Sequence, residues 1–149
     1  DRRTLAATDF APFRALADAP AGMTAHVVYE AIDPDRPATM SPVVVTEVIR
    51  GDIGFDGLLF SDDLKMKALA GPIGARAAQA LDAGCDLALC CNYSLEQKIE
   101  TERQLRPMSL AAAARAERAL AARRPRERDP VTDDGYRRLA ALLSAGAAA

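Results

Sequence analysis

Three short apolar segments alternate with helical segments along this chain, and that alternation leaves few fold classes open. Strands are predicted at residues 23–29, 57–60 and 86–90. Each connection between them is long enough to hold a helix, which is how neighbouring parallel strands are joined. The pattern therefore predicts an α/β fold, in which a parallel sheet is covered by helices.

The ends of the predicted helices carry residues that favour those positions. Ser41 and Pro42 predict the start of a helix over 43–50, since serine is a good N-cap and proline suits the first helical turn. Gly84 predicts the end of an alanine-rich helix over 74–83. Further helices are predicted to begin near Thr4, at Ser94 and on both sides of residues 123–134.

The charge and cysteine content argue against several classes of function. The 149 residues hold 19 Lys and Arg against 21 Asp and Glu, a net charge of −2, so no overall positive field attracts nucleic acid or an anionic membrane. No apolar run reaches the roughly 18 residues of a membrane span, and we expect no cleavable leader. Three cysteines, an odd number, indicate reduced thiols. We expect a cytoplasmic protein without a nucleic-acid or membrane partner.

Polar residues follow each predicted strand, at the sheet edge where parallel α/β folds bind their ligands. Asp62 and Asp63 close a wholly apolar strand, where an unpaired charge is costly. Adjacent strand residues point to opposite faces, whereas the two carboxyl groups of a retaining glycosidase lie about 5–5.5 Å apart. Only one of the two can therefore be catalytic. Alternatively, both cap the following turn or pair with Lys65 and Lys67. The other polar residues at this edge are His26, Glu30, Ser61, Asn92 and Tyr93.

Five short motifs occur within the first 103 residues. MTAHVVY at 23–29 comes first. GFDG at 54–57 then leads into an apolar strand, and SDDLKM at 61–66 follows that strand. AGCDL at 83–87 and Cys91-Asn92 come last. Together they resemble the β-N-acetylhexosaminidases of glycoside hydrolase family 3. The resemblance covers residues 1–103, and the GFDG and SDDLxM combination is specific to that family.

The resemblance implies a fold, a nucleophile and a substrate class. Residues 1–103 would form the C-terminal portion, about strands 6 to 8, of a (β/α)8 TIM barrel, and residues 104–149 a C-terminal helical tail. Asp62 matches the family's nucleophile, which forms a covalent glycosyl-enzyme and retains the anomeric configuration. Asp63 would hold the loop. The family removes terminal β-linked N-acetylglucosamine, mostly from muropeptides during cytoplasmic cell-wall recycling, and no cofactor is implied.

Two parts of the family's active site are not found in this sequence. They are the acid/base Asp-His pair on a mobile loop and the KHFPGHG-like segment that clamps the sugar hydroxyls. A (β/α)8 barrel needs about 250 residues, so we expect an N-terminal barrel half outside this chain, in keeping with a start at Asp1. Three strands would leave an open sheet edge. The chain is then either the nucleophile-bearing part of a hexosaminidase, or an inactive remnant or half that completes a barrel with a separate partner.

Three further residues are candidates for contact with the sugar. His26 lies at a strand end that faces the substrate in the family, or is a core histidine whose hydrogen bonds are satisfied within the protein. Met23, on the same strand, either contacts the substrate or packs in the core. Asn92 either reaches a sugar hydroxyl or caps the helix that starts at Ser94.

Other polar or reactive features are interpreted as structural. Cys85, Cys90 and Cys91 have no CxxC spacing and no nearby histidine, so we interpret them as small hydrophobic residues and not as metal ligands. The basic cluster at 123–128 is predicted to be a solvated linker. Residues 71–74 lack the lysine of a phosphate-binding loop and are predicted to lead into a helix.

Overall fold

The structure is a computed structural model that describes residues 1–123 and Arg138. Two short parallel strands form a sheet, and helices precede, connect and follow them. The α-helices are α1 (Arg2–Ala7), α2 (Ala11–Arg14), α3 (Ile73–Ala83), α4 (Leu95–Glu102) and α5 (Leu110–Ala121). The strands are β1 (Ala21–Met23) and β2 (Leu58–Phe60). A 3-10 turn spans Ala38–Met40 and a π-helix spans Val44–Asp52.

The sheet has the predicted parallel direction but is shorter than predicted. Ala21 pairs with Leu58 and Met23 with Phe60, while the third predicted strand contributes a single parallel bridge between Leu87 and Phe60. The prediction of a full strand over 86–90 is wrong because side chains replace two of its ladder bonds. Leu59 N–H donates to Asp86 Oδ2, and Leu89 N–H donates to Ser61 Oγ.

The first predicted strand, residues 23–29, is also displaced. Strand β1 begins two residues earlier and ends at Met23, and one further bond, from Thr24 N to Phe60 O, follows it. The chain then leaves the sheet and pairs with the 3-10 turn, since Val27 and Ala25 accept backbone bonds from Ala38 and Thr39. His26 therefore lies in this turn-facing segment and not on a strand.

The helix starts predicted at Ser41 and Ser94 and the helix end predicted at Gly84 are confirmed. Ser41 Oγ accepts from Val44 N at 3.1 Å, although the helix that follows has π-type bonds and runs past Gly51 to Asp52. Gly84 ends α3 in the left-handed conformation, with φ of 112°. Ser94 caps α4 through a capping box. The helix expected from Thr4 divides into α1 and α2, because Pro12 is tolerated only in the first turn of a helix.

The core lies between the π-helix, β2 and α3. Two alanines of α3, Ala77 and Ala80, are fully buried in one apolar cluster with Val45 of the π-helix and Leu59 of β2. Their small side chains let α3 approach this core closely. The largest fully buried side chains are Leu59, Leu64, Val45, Val48, Thr39, Ser41 and Ser61. No helix in the part of the chain that the structure describes is long and apolar enough to cross a membrane.

An ion-pair network holds α5 against the opposite end of the sheet from the predicted site. Arg115 contacts both Asp56 and Asp86, and Arg118 contacts Asp56. The first helix of the predicted tail is thus confirmed, with its cap at Ser109. The second predicted tail helix and most of the basic cluster at 123–128 lie outside the described residues, and the boundary between 103 and 104 stays a prediction.

Strand β1 is an open edge with apolar side chains beside it. Among residues 1–123 its only strand neighbour is β2. Phe13, Leu16 and Met23 expose 58%, 63% and 56% of their surface next to that edge. They line an apolar cavity of about 290 Å³ together with parts of the π-helix. The expected open edge and exposed apolar face are therefore present in the described chain.

Candidate active site

Residues from three loops meet at the carboxyl ends of β1, β2 and the Leu87 segment. Thr24 and His26 come from the first loop, Asp62 and Asp63 from the second, and Asn92 from the third. Hydrogen bonds join all three, from Asp62 N to Thr24 Oγ1 and from Cys91 N to Asp63 Oδ1. The sheet direction thus brings together the polar residues that the sequence placed after separate strands.

The Asp62 carboxylate is half-buried and has few partners. Its Oδ1 accepts from the Asp63 amide at 2.8 Å. Among residues 1–123, no lysine or arginine forms an ion pair with it. Within that part of the chain the Asp62 carboxylate has no cationic partner, and a carboxylate without such a partner is chemically able to act as a nucleophile.

The Asp63 carboxylate has a different environment from that of its neighbour. Its Oδ1 accepts from Lys65 N and from Cys91 N, both at 3.1 Å. These bonds start the turn after β2 and tie that turn to the third loop. The interpretation of Asp63 as a loop-holding residue is consistent with this geometry, and neither Asp63 nor Asp62 forms an ion pair with Lys65 or Lys67 among the described residues.

His26 is held by the protein through both ring nitrogens. Nδ1 lies 2.8 Å from Thr39 Oγ1 and Nε2 lies 3.0 Å from the Asp63 carbonyl oxygen. Of the two roles considered for His26, the geometry matches a histidine whose hydrogen bonds are satisfied internally. Its ring nevertheless lies against the Asp62–Asp63 loop.

Asn92 and Met23 lie on the outer parts of the site. Asn92 is exposed with φ of 55°, and its carbonyl accepts from Lys65 Nζ at 2.7 Å. Ser94 caps the following helix, so the alternative cap role of Asn92 is wrong. Met23 is exposed beside the open edge, so the alternative of core packing is wrong for the described chain. Contact of either residue with a sugar stays a prediction.

The sequence profile of the glycosyl hydrolase family 3 N-terminal domain matches residues 1–120, which is most of the chain. The chain belongs to glycosyl hydrolase family 3. The family assignment made from the GFDG and SDDLKM motifs is thereby confirmed, and the matched region extends beyond residue 103 into α5.

Relatives of this family 3 chain include a beta-hexosaminidase, a NagZ and a beta-N-acetylglucosaminidase. A beta-hexosaminidase from Alkalilimnicola ehrlichii is 51% identical over 96 residues, which are 62% of this chain and 27% of that protein. NagZ from Neisseria gonorrhoeae superimposes with a TM-score of 0.68 at 36% identity, covering 80% of this chain and 34% of that one. A beta-N-acetylglucosaminidase from Thermotoga maritima gives a TM-score of 0.69 at 30% identity, covering 83% and 30%. The chain spans about a quarter to a third of these proteins.

Two buried threonines of this family 3 site have roles that the sequence analysis missed. Thr39 is fully buried and Thr24 is 6% exposed, and their hydroxyl oxygens lie 2.8 Å apart. Thr24 stands inside the MTAHVVY motif, where an uncharged polar residue in a predicted buried strand was a usable signal. Thr39 is 15 positions further along the chain, in the 3-10 turn, and nothing local in the sequence identifies it.

The thiols of this family 3 chain do not form a metal site in the part that the structure describes. Cys85, Cys90 and Cys91 are free, and no cluster of three or more His, Cys, Asp or Glu side chains is placed to hold an ion among those residues. Burial raises the pKa of the Cys85 thiol to about 12. Cys85 is therefore a neutral, packed side chain, while metal ligation requires the thiolate.

Proposed function

We propose that this chain supplies the nucleophile-bearing edge of a retaining β-N-acetylhexosaminidase, with Asp62 as the nucleophile. The observation that carries the proposal is the Asp62 carboxylate, which lies at the carboxyl edge of a parallel sheet without a cationic partner in residues 1–123. Its backbone is bonded to Thr24 on one side, and Asp63 anchors the neighbouring loop. A nucleophile needs this combination of free charge and fixed position.

In the proposed reaction, an Asp62 oxygen attacks the anomeric carbon of the sugar. The glycosidic C–O bond breaks, the leaving oxygen takes a proton from an acid/base group outside this chain, and a glycosyl ester forms on Asp62. Water, deprotonated by the same group, then cleaves that ester with net retention. Asp63 stays a positioning residue, because its carboxylate accepts hydrogen bonds from the backbone N–H groups of Lys65 and Cys91, which belong to the loops around Asp62.

The proposed substrates are glycans with terminal β-linked N-acetylglucosamine, including muropeptides released during cell-wall recycling in the cytoplasm. Support for the sugar comes from NagZ of Neisseria gonorrhoeae, whose structure has been determined in complex with N-trifluoroacetyl-D-glucosamine. Met23 and Asn92 are proposed to line the sugar site. Met23 pairs with Phe60 at the end of β1, two residues before Asp62, and the Asn92 carbonyl is bonded to Lys65 in the turn that follows Asp63.

We further propose that the sheet belongs to a (β/α)8 barrel, as about strands 6 to 8, and that an N-terminal barrel half completes it. Support comes from the open β1 edge and from the exposed apolar residues Phe13, Leu16 and Met23 beside it. The open β1 edge also favours the second candidate function, in which the chain has no activity alone. In that case the chain either completes a barrel together with a separate N-terminal partner or is a folded remnant.

The nucleophile can be tested without the missing acid/base group. A 5-fluoro N-acetylglucosaminyl fluoride needs no protonation of its leaving group, so the chain is incubated with it and analysed by mass spectrometry. We expect one adduct per chain on the peptide that contains Asp62. Asp62→Asn should abolish the adduct, whereas Asp63→Asn, the matched control, should retain it because an amide oxygen can still accept both backbone bonds.

The result that contradicts the proposal is an adduct on another residue, or no adduct in a folded chain. Turnover tests whether the acid/base group lies outside this chain. The chain alone should not hydrolyse a β-N-acetylglucosaminide with an unactivated leaving group. Hydrolysis of such a substrate by the purified chain would show that an acid/base group lies within it.

A further inference from the structure

A chain of hydrogen bonds runs from the Asp62 amide through the core and returns to the Asp63 carbonyl. Asp62 N lies 3.3 Å from Thr24 Oγ1, which lies 2.8 Å from Thr39 Oγ1. Thr39 Oγ1 lies 2.8 Å from His26 Nδ1, and His26 Nε2 lies 3.0 Å from Asp63 O. These four side-chain bonds therefore begin and end on the two residues of the candidate nucleophile loop.

For a neutral imidazole, the chemistry of the two end groups sets the direction of every bond. A carbonyl oxygen can only accept, so His26 Nε2 must carry the proton that bonds Asp63 O. In the neutral imidazole Nδ1 is then an acceptor, which requires Thr39 to donate its hydroxyl proton to it. Thr39 Oγ1 consequently accepts from Thr24, and Thr24 Oγ1 accepts from the Asp62 amide.

In this arrangement every proton in the chain of bonds is donated once, and all four bonds run in the same direction. Thr24 and Thr39 are buried, where an unsatisfied hydroxyl is costly. A rotation of either threonine, or the other histidine tautomer, would leave at least one of these groups without a partner. Protein groups occupy both ring nitrogens, so no ring nitrogen of His26 remains for a sugar hydroxyl.

We infer that His26 is a positioning residue, held as the neutral Nε2–H tautomer, that fixes the Asp62–Asp63 backbone through Thr39 and Thr24. This assignment replaces direct sugar contact as the role of His26. Its consequence for catalysis rests on the proposed function, because it holds only if Asp62 is the nucleophile. The hydrogen-bond direction itself does not depend on any activity.

The chain contains a single histidine, which makes the tautomer directly measurable. Long-range 1H–15N correlation spectra of the uniformly labelled full chain, recorded at about pH 8 where an ordinary imidazole is neutral, show one set of ring signals. We expect the pattern of the Nε2–H tautomer alone. The Nδ1–H pattern, or the averaged pattern of two exchanging tautomers, would overturn the inference.

A pair of variants tests whether the tautomer depends on the threonines. Thr39→Val removes the donor to Nδ1 at nearly constant volume, whereas Thr39→Ser keeps the hydroxyl and is the matched control. We expect Thr39→Val to shift the Nδ1 signal towards that of an unbonded nitrogen and to speed exchange of the Asp62 amide proton about fivefold to tenfold. Thr39→Ser should change neither.

A second pair keeps the test decisive if Thr39→Val does not fold. Thr24→Val and Thr24→Ser act at the other end of the chain of bonds, and only the valine should release the Asp62 amide. Unchanged ring signals and amide exchange in the folded valine variants would overturn the inference.

Labelling with the fluoro sugar separates this inference from the proposed function. If Asp62 is the nucleophile, Thr39→Val should lower the maximal rate of labelling about tenfold with little change in the concentration giving half that rate. Absence of labelling in the unaltered chain would refute the proposed function alone, since the tautomer measurement still decides the positioning role.

Discussion

Asp86 is the buried anion that joins the π-helix, the sheet and α5, and its removal should strongly destabilise the chain. Its side chain is 5% exposed, and it accepts from Arg50 at 2.8 Å, from Leu59 N at 2.9 Å and from Arg115 at 3.1 Å. Asp86→Ala leaves the Arg50 guanidinium, itself 17% exposed, without its ion-pair partner and next to the guanidinium of Arg115, which keeps Asp56. Breaking a buried pair of this kind costs about 3–5 kcal/mol.

The assay is urea unfolding followed by circular dichroism, with an exposed ion pair as the control. Arg106 and Asp82 form a bridge at 3.3 Å with side chains 66% and 68% exposed. Asp82→Ala should therefore change the free energy of unfolding by only about 0–1 kcal/mol. Asp86→Asn should lie between the two, because its amide oxygen still accepts from Leu59 N. If Asp86→Ala costs no more than Asp82→Ala, the network does not stabilise the fold and the reasoning is refuted.

Two further predictions concern the Cys85 thiol and the open edge. Burial raises the pKa of the Cys85 thiol from 9.0 to about 12. As the pH rises, the unfolded chain therefore loses this proton before the folded chain does. The contribution of the neutral thiol to the free energy of unfolding is complete below about pH 9 and is lost as the pH rises towards about 12. Alkylation with iodoacetamide at about pH 8, followed by peptide mapping, should modify the half-buried Cys91 long before Cys85; equal rates in the folded chain would contradict this. The exposed apolar residues beside β1 should bind a hydrophobic dye such as ANS and promote self-association, and Met23→Glu should reduce both, measured by dye fluorescence and light scattering. A monodisperse monomer that does not bind the dye would show that the edge is covered.

Features that depend on near neighbours in the sequence could be predicted. Ser41, Gly84 and Ser94 mark helix ends because a cap needs only a side chain and a backbone group a few residues apart. The position of Asp62 and Asp63 after a buried strand follows from the alternation of strands and helices. The family assignment rests on motifs of the same local kind.

Strand lengths could not be predicted, because polar side chains compete with the backbone for the ladder bonds. Both Asp86 and Ser61 bond main-chain amides on the neighbouring segment, 27 and 28 residues away. Residues 24–29 have strong strand propensity, yet they pair with the 3-10 turn that happens to lie beside them. Local propensity cannot distinguish these outcomes, since it contains no information about distant donors.

By itself the sequence determined the α/β pattern, the helix caps, the family and the placement of Asp62 at a strand end. Only the tertiary structure decided how that placement is held. His26, Thr24 and Thr39 meet across separations of 13 and 15 residues, and Asp86 meets Arg50 and Arg115 across 36 and 29. Burial makes these contacts obligatory, because a polar group removed from water must find its partner wherever the fold brings one.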